Sequence, residues 1–447
     1  MYPACTPAPL SRRGVLAGGA ALAAALTGCA TPEPELPRLA APRPVDEVAR
    51  LREGGPDPVV AGETLNGALL RRFYARRGFA PVWAARPAQA EALAQAVQGA
   101  ADHGLDPELF HAGLLERRET LPPARRDLLL SHAFLTYADA LAFGALPANR
   151  RLDAEALAAE PLDVAAVLHR AIDGPDPVAA IESLAPATPE YRQLRQALGQ
   201  PRAGGSGIGQ AGRLRHMQIQ ANLERQRWVP RTLPANRVWV NVPDQRLVLF
   251  RDDRPVFTTR VVVGAAYDRK QSPEFSTNIE AAYLNPPWIV PSDIVAADIL
   301  PRLRRDPDYL RRHRMVLLPN GDAEQAPSPQ SGLGVIMFDM PNRFDVYLHD
   351  TPNKAIFSQA TRQASNGCIR VQNPLDLAAL IFERPVADIR RDIASDPATQ
   401  RHVLPRPMPV YILYHTAVVT PEGRLDFRQD FYNRDGSLWQ RLQRRTA

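Results

Sequence analysis

The chain has 447 residues and a formal net charge of +6 at pH 7, with 54 Lys and Arg against 48 Asp and Glu. Three cysteines are too few for a disulfide-built scaffold, and the nine histidines form no Cys/His cluster at metal-ligand spacing, so neither a metal nor a cofactor is expected. The basic residues, nearly all arginine, are not interleaved with base-stacking aromatics, which argues against nucleic acid as a partner.

At the N-terminus, Ser11-Arg12-Arg13 precede an apolar stretch of small residues that ends in Leu26-Thr27-Gly28-Cys29. This order of charged, apolar and small residues is that of an export signal over residues 1–29. The apolar stretch falls short of the roughly 20 residues that span a bilayer. The paired arginines resemble a twin-arginine signal, and Leu26 to Cys29 resembles a bacterial lipobox. That resemblance implies lipidation of Cys29, a membrane anchor and a periplasmic body, with Ala30 favouring the outer membrane; an ordinary secretory signal with a chance cysteine is the alternative. Residues 30–60 are dense in Pro, Glu, Arg and Ala and are expected to form a disordered tether.

Residues 61–198 carry apolar side chains at helical spacing, as in Leu65, Leu69 and Phe73 or Leu128, Leu135 and Leu141, with breaks at Pro81, Pro107, Pro122 and Pro161. An all-helical domain is predicted there, followed by a Gly-rich linker over 199–212 and a helix from Arg213 to about Gln226. Beyond Trp228 the period becomes two, with Val238, Val240 and Val242 alternating with Trp239 and Asn241. Residues 213–447 therefore read as a mostly-β domain with a helical insertion at about 290–330. Further expected elements are a strand over 344–349, a helix after Asn373-Pro374 with Asn as its cap, and a closing hairpin over 410–431. The fold class is α+β and multidomain.

Within the β domain, Cys368 in Ser365-Asn366-Gly367-Cys368-Ile369-Arg370 stands nineteen residues after His349. An imidazole beside a thiol can take its proton or hold the thiolate, which makes Cys368 the candidate nucleophile and His349 the candidate base. In a strand over 344–349, Asp345, Tyr347 and His349 share the face away from the apolar core. Asp350 then faces the other way and is not expected to orient the ring. Gly367 permits a turn closed to bulkier residues, leaving the Gly367 and Cys368 amides to form an oxyanion hole.

His349 and Ser365-Asn366-Gly367-Cys368-Ile369-Arg370 together resemble the L,D-transpeptidase family with its YkuD-type catalytic domain, in the large YcbB-like branch. The resemblance extends over residues 65–431 and includes Phe73 to Trp83, Asp102 to Pro107, Gln220 to Trp228, and Asn285 to Pro291 at the start of a substrate-capping insertion. Asn366 replaces the second histidine of many relatives, and the linker stands where relatives often carry a peptidoglycan-binding module.

The resemblance implies a peptidoglycan substrate of the meso-diaminopimelate type. Cys368 would attack the third stem residue, expel the terminal D-alanine, and pass the acyl group from its thioester to a neighbouring stem as a 3→3 crosslink. It also implies acylation by carbapenems. Arg370 is read either as a fork for a stem carboxylate or as an ion pair fixing the loop, Ser365 as orienting the loop or His349 or as an ordinary turn residue, Asn366 with Ser365 as substrate-binding, and Tyr347, Trp288 and Tyr283 as cleft wall or as core aromatics. Hydrolysis, attachment of a protein to the wall, and a noncatalytic wall-binding lipoprotein are the alternatives; a general cysteine protease lacks its usual motif.

Overall fold

The computed structural model describes residues 47–199, 209–267, 270–420 and 422–443. The expected export signal with Cys29, most of the expected tether and residues 200–208 of the linker lie outside the described residues. The last part of the expected tether is folded: Val48, Leu51 and Val60 are buried in the scaffold core. These three apolar side chains of a largely polar stretch find a partner surface that composition alone does not reveal, while Val59 stays exposed.

The scaffold packs helices α1 (Gly67–Ala75), α2 (Pro87–Gln98), α3 (Pro123–Phe143), α4 (Val164–Ile172) and α5 (Pro189–Gly199), with short 3-10 turns between them. Pro87 and Pro123 open their helices, where a missing N–H costs nothing. Helix α3 is buried over most of its length, yet no described helix is long and apolar enough to cross a membrane. Its Asp127 carboxylate accepts from the Val82 and Trp83 amides at 2.8 Å each, tying the loop after α1 to the central helix. Helix α6 (Gln210–Gln226) follows, and the few residues between α5 and α6 are too short for a further folded module.

The catalytic half is built on strands β1 (Arg237–Asn241), β2 (Arg246–Arg251), β3 (Arg254–Gly264) and β4 (Phe275–Leu284). The capping insertion has its own sheet of β5 (Trp288–Val290), β6 (Met315–Leu317) and β7 (Ala323–Gln325), with short helices between β5 and β6. The main sheet resumes with β8 (Ile336–Asp339), β9 (Leu348–His349), β10 (Gln363–Ser365), β11 (Ile369–Val371) and β12 (Gln400–Leu413). Its order is β10-β3-β11-β9-β8-β4-β12-β1-β2, and β2 also pairs with β3, so the sheet closes on itself around an apolar core. Helix α7 (Pro374–Phe382) covers part of that core, and α8 (Arg434–Leu442) packs against α6.

Three local expectations change. The strand expected over 344–349 keeps only Leu348 and His349, because the Asn342 side chain accepts from the Phe344 and Val346 amides and donates to the Met340 and Val346 carbonyls. A side chain that satisfies the backbone this way competes with the ladder. Asn373 precedes α7 without a side-chain capping bond. The expected closing hairpin divides: β12 begins at Gln400 and joins the main sheet, while Ala417–Val419 pairs separately with Leu425–Phe427.

Helix α6 joins the halves through adjacent residues. Glu224 accepts from the Ala145 and Leu146 amides just beyond α3, at 3.0 and 2.9 Å, and from Arg227 at 2.9 Å. Arg225, fully buried, pairs with Asp435 of α8 and lies 3.9 Å from Glu274 of the catalytic half. Burial first, with the Glu155 and Asp435 carboxylates adding to it, pushes the Glu274 carboxyl up to about 7, against the pull of Arg225 and Arg434. Replacing Arg225 leaves Glu274 and Asp435 in a dry interior without their principal counter-charge. Arg225→Met is expected to destabilise the fold by about 3–5 kcal/mol, seen as a lowered Tm in scanning calorimetry, whereas Arg304→Met on the exposed cap should leave Tm unchanged.

Candidate active site

The site is built on two short parallel strands. β9 pairs with β11 so that Leu348 stands opposite Ile369 and His349 opposite Arg370. Leu348 and Ile369 are fully buried in the core. By alternation, His349, Arg370, Tyr347 and Cys368, which extends the register by one residue, share the opposite face. The row continues across the sheet through Met337, Tyr283 and Arg401. Tyr283 was expected in the cleft; Met337 and Arg401 were not singled out, because only the strand order shows that they continue the row from His349.

His349 is buried at 4% exposure, not exposed at a strand end. Its Nδ1 lies 2.6 Å from the Asp350 carbonyl oxygen. A carbonyl only accepts, so Nδ1 carries the proton and Nε2 is left with its lone pair. Asp350 thus does orient the ring, through its backbone and not its carboxylate. The carboxylate takes the Val335 amide at 3.1 Å and the Lys354 ammonium, anchoring the return from the cap. Gly334, at φ +62, makes that approach possible, since a Cβ there would collide with the Asp350 carboxylate.

Cys368 is half-buried, and its sulfur faces the Asp345 carbonyl at 3.7 Å. Asp345 is left-handed, at φ +51, within the loop that Asn342 holds. The Gly367 backbone has φ +114, the conformation that the sequence reading required of it. Its amide, however, donates to Ser365 Oγ at 3.2 Å, while Ser365 Oγ donates to the Cys368 carbonyl at 2.6 Å. Ser365, 3% exposed, therefore holds the loop. Of the two amides expected at the oxyanion, only that of Cys368 donates to no group among the described residues.

Electrostatics keep the resting pair neutral. Burial first, and the Arg370 charge second, bring His349 down to about 3, although the Asp350 carbonyl favours its protonation. Burial raises the Cys368 thiol above its usual range, opposed by the Tyr347 amide and by Arg370. Tyr347 is pushed up to about 12 by burial and by the neighbouring thiolate form of Cys368. Arg370 has no ion pair among the described residues, and its Nε is buried without a partner. Asn366 is half-buried in the same loop as Cys368. Trp288 belongs to the cap, with its ring packed over Gly332. No group of His, Cys, Asp and Glu among the described residues is arranged to hold a metal ion.

Sequence comparison agrees with this arrangement: residues 235–387 match the L,D-transpeptidase catalytic domain, YkuD, and residues 68–198 match the Scaffold domain. The chain thus carries an L,D-transpeptidase catalytic domain behind a Scaffold domain. The chain is 27% identical over 399 residues to the protein of Haemophilus influenzae named "Putative L,D-transpeptidase", covering 83% of this chain and 78% of the relative. Among solved structures, the Ldtfm-avibactam carbamoyl enzyme is 12% identical, with a TM-score of 0.23 over 50% of this chain and 62% of that one. An L,D-transpeptidase from Xylanimonas cellulosilytica is 15% identical, with a TM-score of 0.21 over 57% and 87%.

A raised thiol and a depressed imidazole give a definite pH dependence. Thiolate forms only as pH climbs through the raised value, and His349 stays neutral from about 3 upward. Alkylation of Cys368 by iodoacetamide should rise steadily with pH and level off only above the ordinary thiol range of about 8.5. A plateau below pH 7 would reveal a preformed thiolate–imidazolium pair and would refute the neutral resting state.

Proposed function

We propose that this protein is an L,D-transpeptidase that forms 3→3 crosslinks between peptidoglycan stem peptides through a thioester on Cys368, in cell wall biogenesis. The observation that carries the reading is the shared face of Cys368, His349 and Arg370 on two parallel strands, with an arginine that lacks an ion pair among the described residues. Arg370 offers a planar fork to a stem-peptide carboxylate. A carboxylate seated there also offsets the positive charge that holds His349 down, so donor binding strengthens the base.

In the first half-reaction Cys368 Sγ adds to the carbonyl of the third stem residue and its proton passes to His349 Nε2. The oxyanion meets the Cys368 N–H. Collapse breaks the bond to the terminal D-alanine, whose amine takes the proton back from His349. In the second, a side-chain amine of a neighbouring stem adds to the thioester, His349 takes its proton, and the restored thiol leaves. The broken amide is conserved in the thioester, so no nucleotide is consumed.

The same thiol is proposed as the target of carbapenems. Cys29 is proposed as the lipidated residue, which would anchor the body on the periplasmic side, in the outer membrane by the residue that follows it; the Ser11 to Cys29 pattern supports this. Tyr347, Asn366 and Trp288 are proposed as cleft wall.

Incubation with disaccharide-tetrapeptide followed by mass spectrometry tests the reaction. A crosslinked dimer lighter by one alanine is expected from the protein and none from Cys368→Ala; a tripeptide monomer in place of the dimer would make it a hydrolase. Arg370→Gln should raise KM for the tetrapeptide by roughly 10- to 150-fold, the worth of a charged hydrogen bond of about 1.5–3 kcal/mol.

A further inference from the structure

The Gly367–Cys368 peptide is held at its carbonyl end by a hydroxyl that the reaction above does not use. Ser272 has 0% exposure, and its Oγ lies 2.7 Å from the Gly367 carbonyl oxygen and 2.9 Å from the Gly264 amide nitrogen. The amide can only donate and the carbonyl can only accept, so the one hydroxyl proton points at Gly367. In a trans peptide the C=O and the following N–H point in opposite directions across one plane. Fixing the Gly367 oxygen on the Ser272 side therefore turns the Cys368 N–H to the other side.

Ser272 is itself fixed. Its amide donates to the Tyr432 hydroxyl at 3.2 Å, and that hydroxyl donates to the Gly264 carbonyl at 2.6 Å. The Ser272 carbonyl accepts from Arg434 Nη2 at 2.9 Å, and Arg434 in turn lies 3.4 Å from Glu274. A side chain on Gly264 would run into the Lys270 carbonyl and stand 2.6 Å from the Ser272 amide nitrogen, so this close approach requires glycine.

We propose that Ser272 is a positioning residue for acylation: by holding the Gly367 carbonyl it aims the Cys368 N–H at the oxyanion that forms when the sulfur adds to a carbonyl. This rests on the acyl-enzyme reading above. Carbonyl addition makes the S–C bond and moves the C=O electron pair onto oxygen, where the N–H receives it. Alkylation by iodoacetamide makes the S–C bond at a saturated carbon, expels iodide and releases the thiol proton, with no oxyanion. One thiol thus reports the same loop with and without the oxyanion hole in use.

The experiment measures both reactions on the full-length protein, with meropenem as the acylating probe and mass spectrometry of the Cys368 peptide as the readout. Ser272→Ala should slow acylation by at least about 10-fold, approaching the 10²–10³-fold typical of deleting an oxyanion donor. Its iodoacetamide rate should stay within about twofold of wild type, a margin well inside the factor of 10 that 1.4 kcal/mol represents. Ser272→Thr should restore acylation, and Tyr432→Phe, which frees the Ser272 amide, should give a smaller loss of the same selective kind. Equal acylation by Ser272→Ala and wild type overturns the proposal. So does an equal loss in both reactions, which would make Ser272 a general support of the loop. If wild type is alkylated but not acylated, the acyl-enzyme reading itself falls, and this inference with it.

Discussion

A buried guanidinium, Arg225, is the interaction on which the two halves of the molecule depend. It lies among Glu274, Asp435 and Arg434, all at 4% exposure or less, where each charge would be ruinous alone. Such a cluster adds little net stability, because the cost of leaving water offsets most of the attraction. Its effect is geometric: it fixes α6 against the catalytic half while the adjacent Glu224 fixes the same helix against the end of α3. One turn of α6 thus ties scaffold to catalytic domain, and the Arg343–Asp153 and Arg441–Glu155 pairs cross between them as well.

The same cluster reaches the nucleophile loop. Arg434 holds the Ser272 carbonyl, Ser272 holds the Gly367 carbonyl, and Ser365 holds the loop from within. A nucleophile on a loop is only as well placed as the groups that immobilise it. The buried charges and hydroxyls around Cys368 supply that restraint, and the sulfur and the Cys368 amide are left for the substrate.

The cap adds a second restraint, on the base. Its return strand is fastened by the Val335 amide to the Asp350 carboxylate, while the Asp350 carbonyl sets the His349 tautomer. One residue therefore links the end of the insertion to the direction of the imidazole lone pair. Burial then keeps ring and thiol neutral at rest, with Arg370 beside them lacking an ion pair among the described residues.

Much of this was legible in the order of residues. Helical spacing before Leu198 and alternation after Trp228 separate the two halves, because each period is imposed locally by backbone geometry. The His349 and Cys368 motif names the reacting groups for the same reason, as a short pattern whose chemistry lies in the residue types. The strand through Asp345 was misread because one side chain, Asn342, captures the backbone groups a ladder would use. The sequence by itself determined the division into helical and β domains and the candidates for nucleophile and base. Only the tertiary structure decided that His349 is buried and neutral, that Arg370 lacks an ion pair among the described residues, and that Ser272 stands behind Gly367. Burial and hydrogen-bond partnership are set by segments far apart in the chain, and no local period records which of them meet.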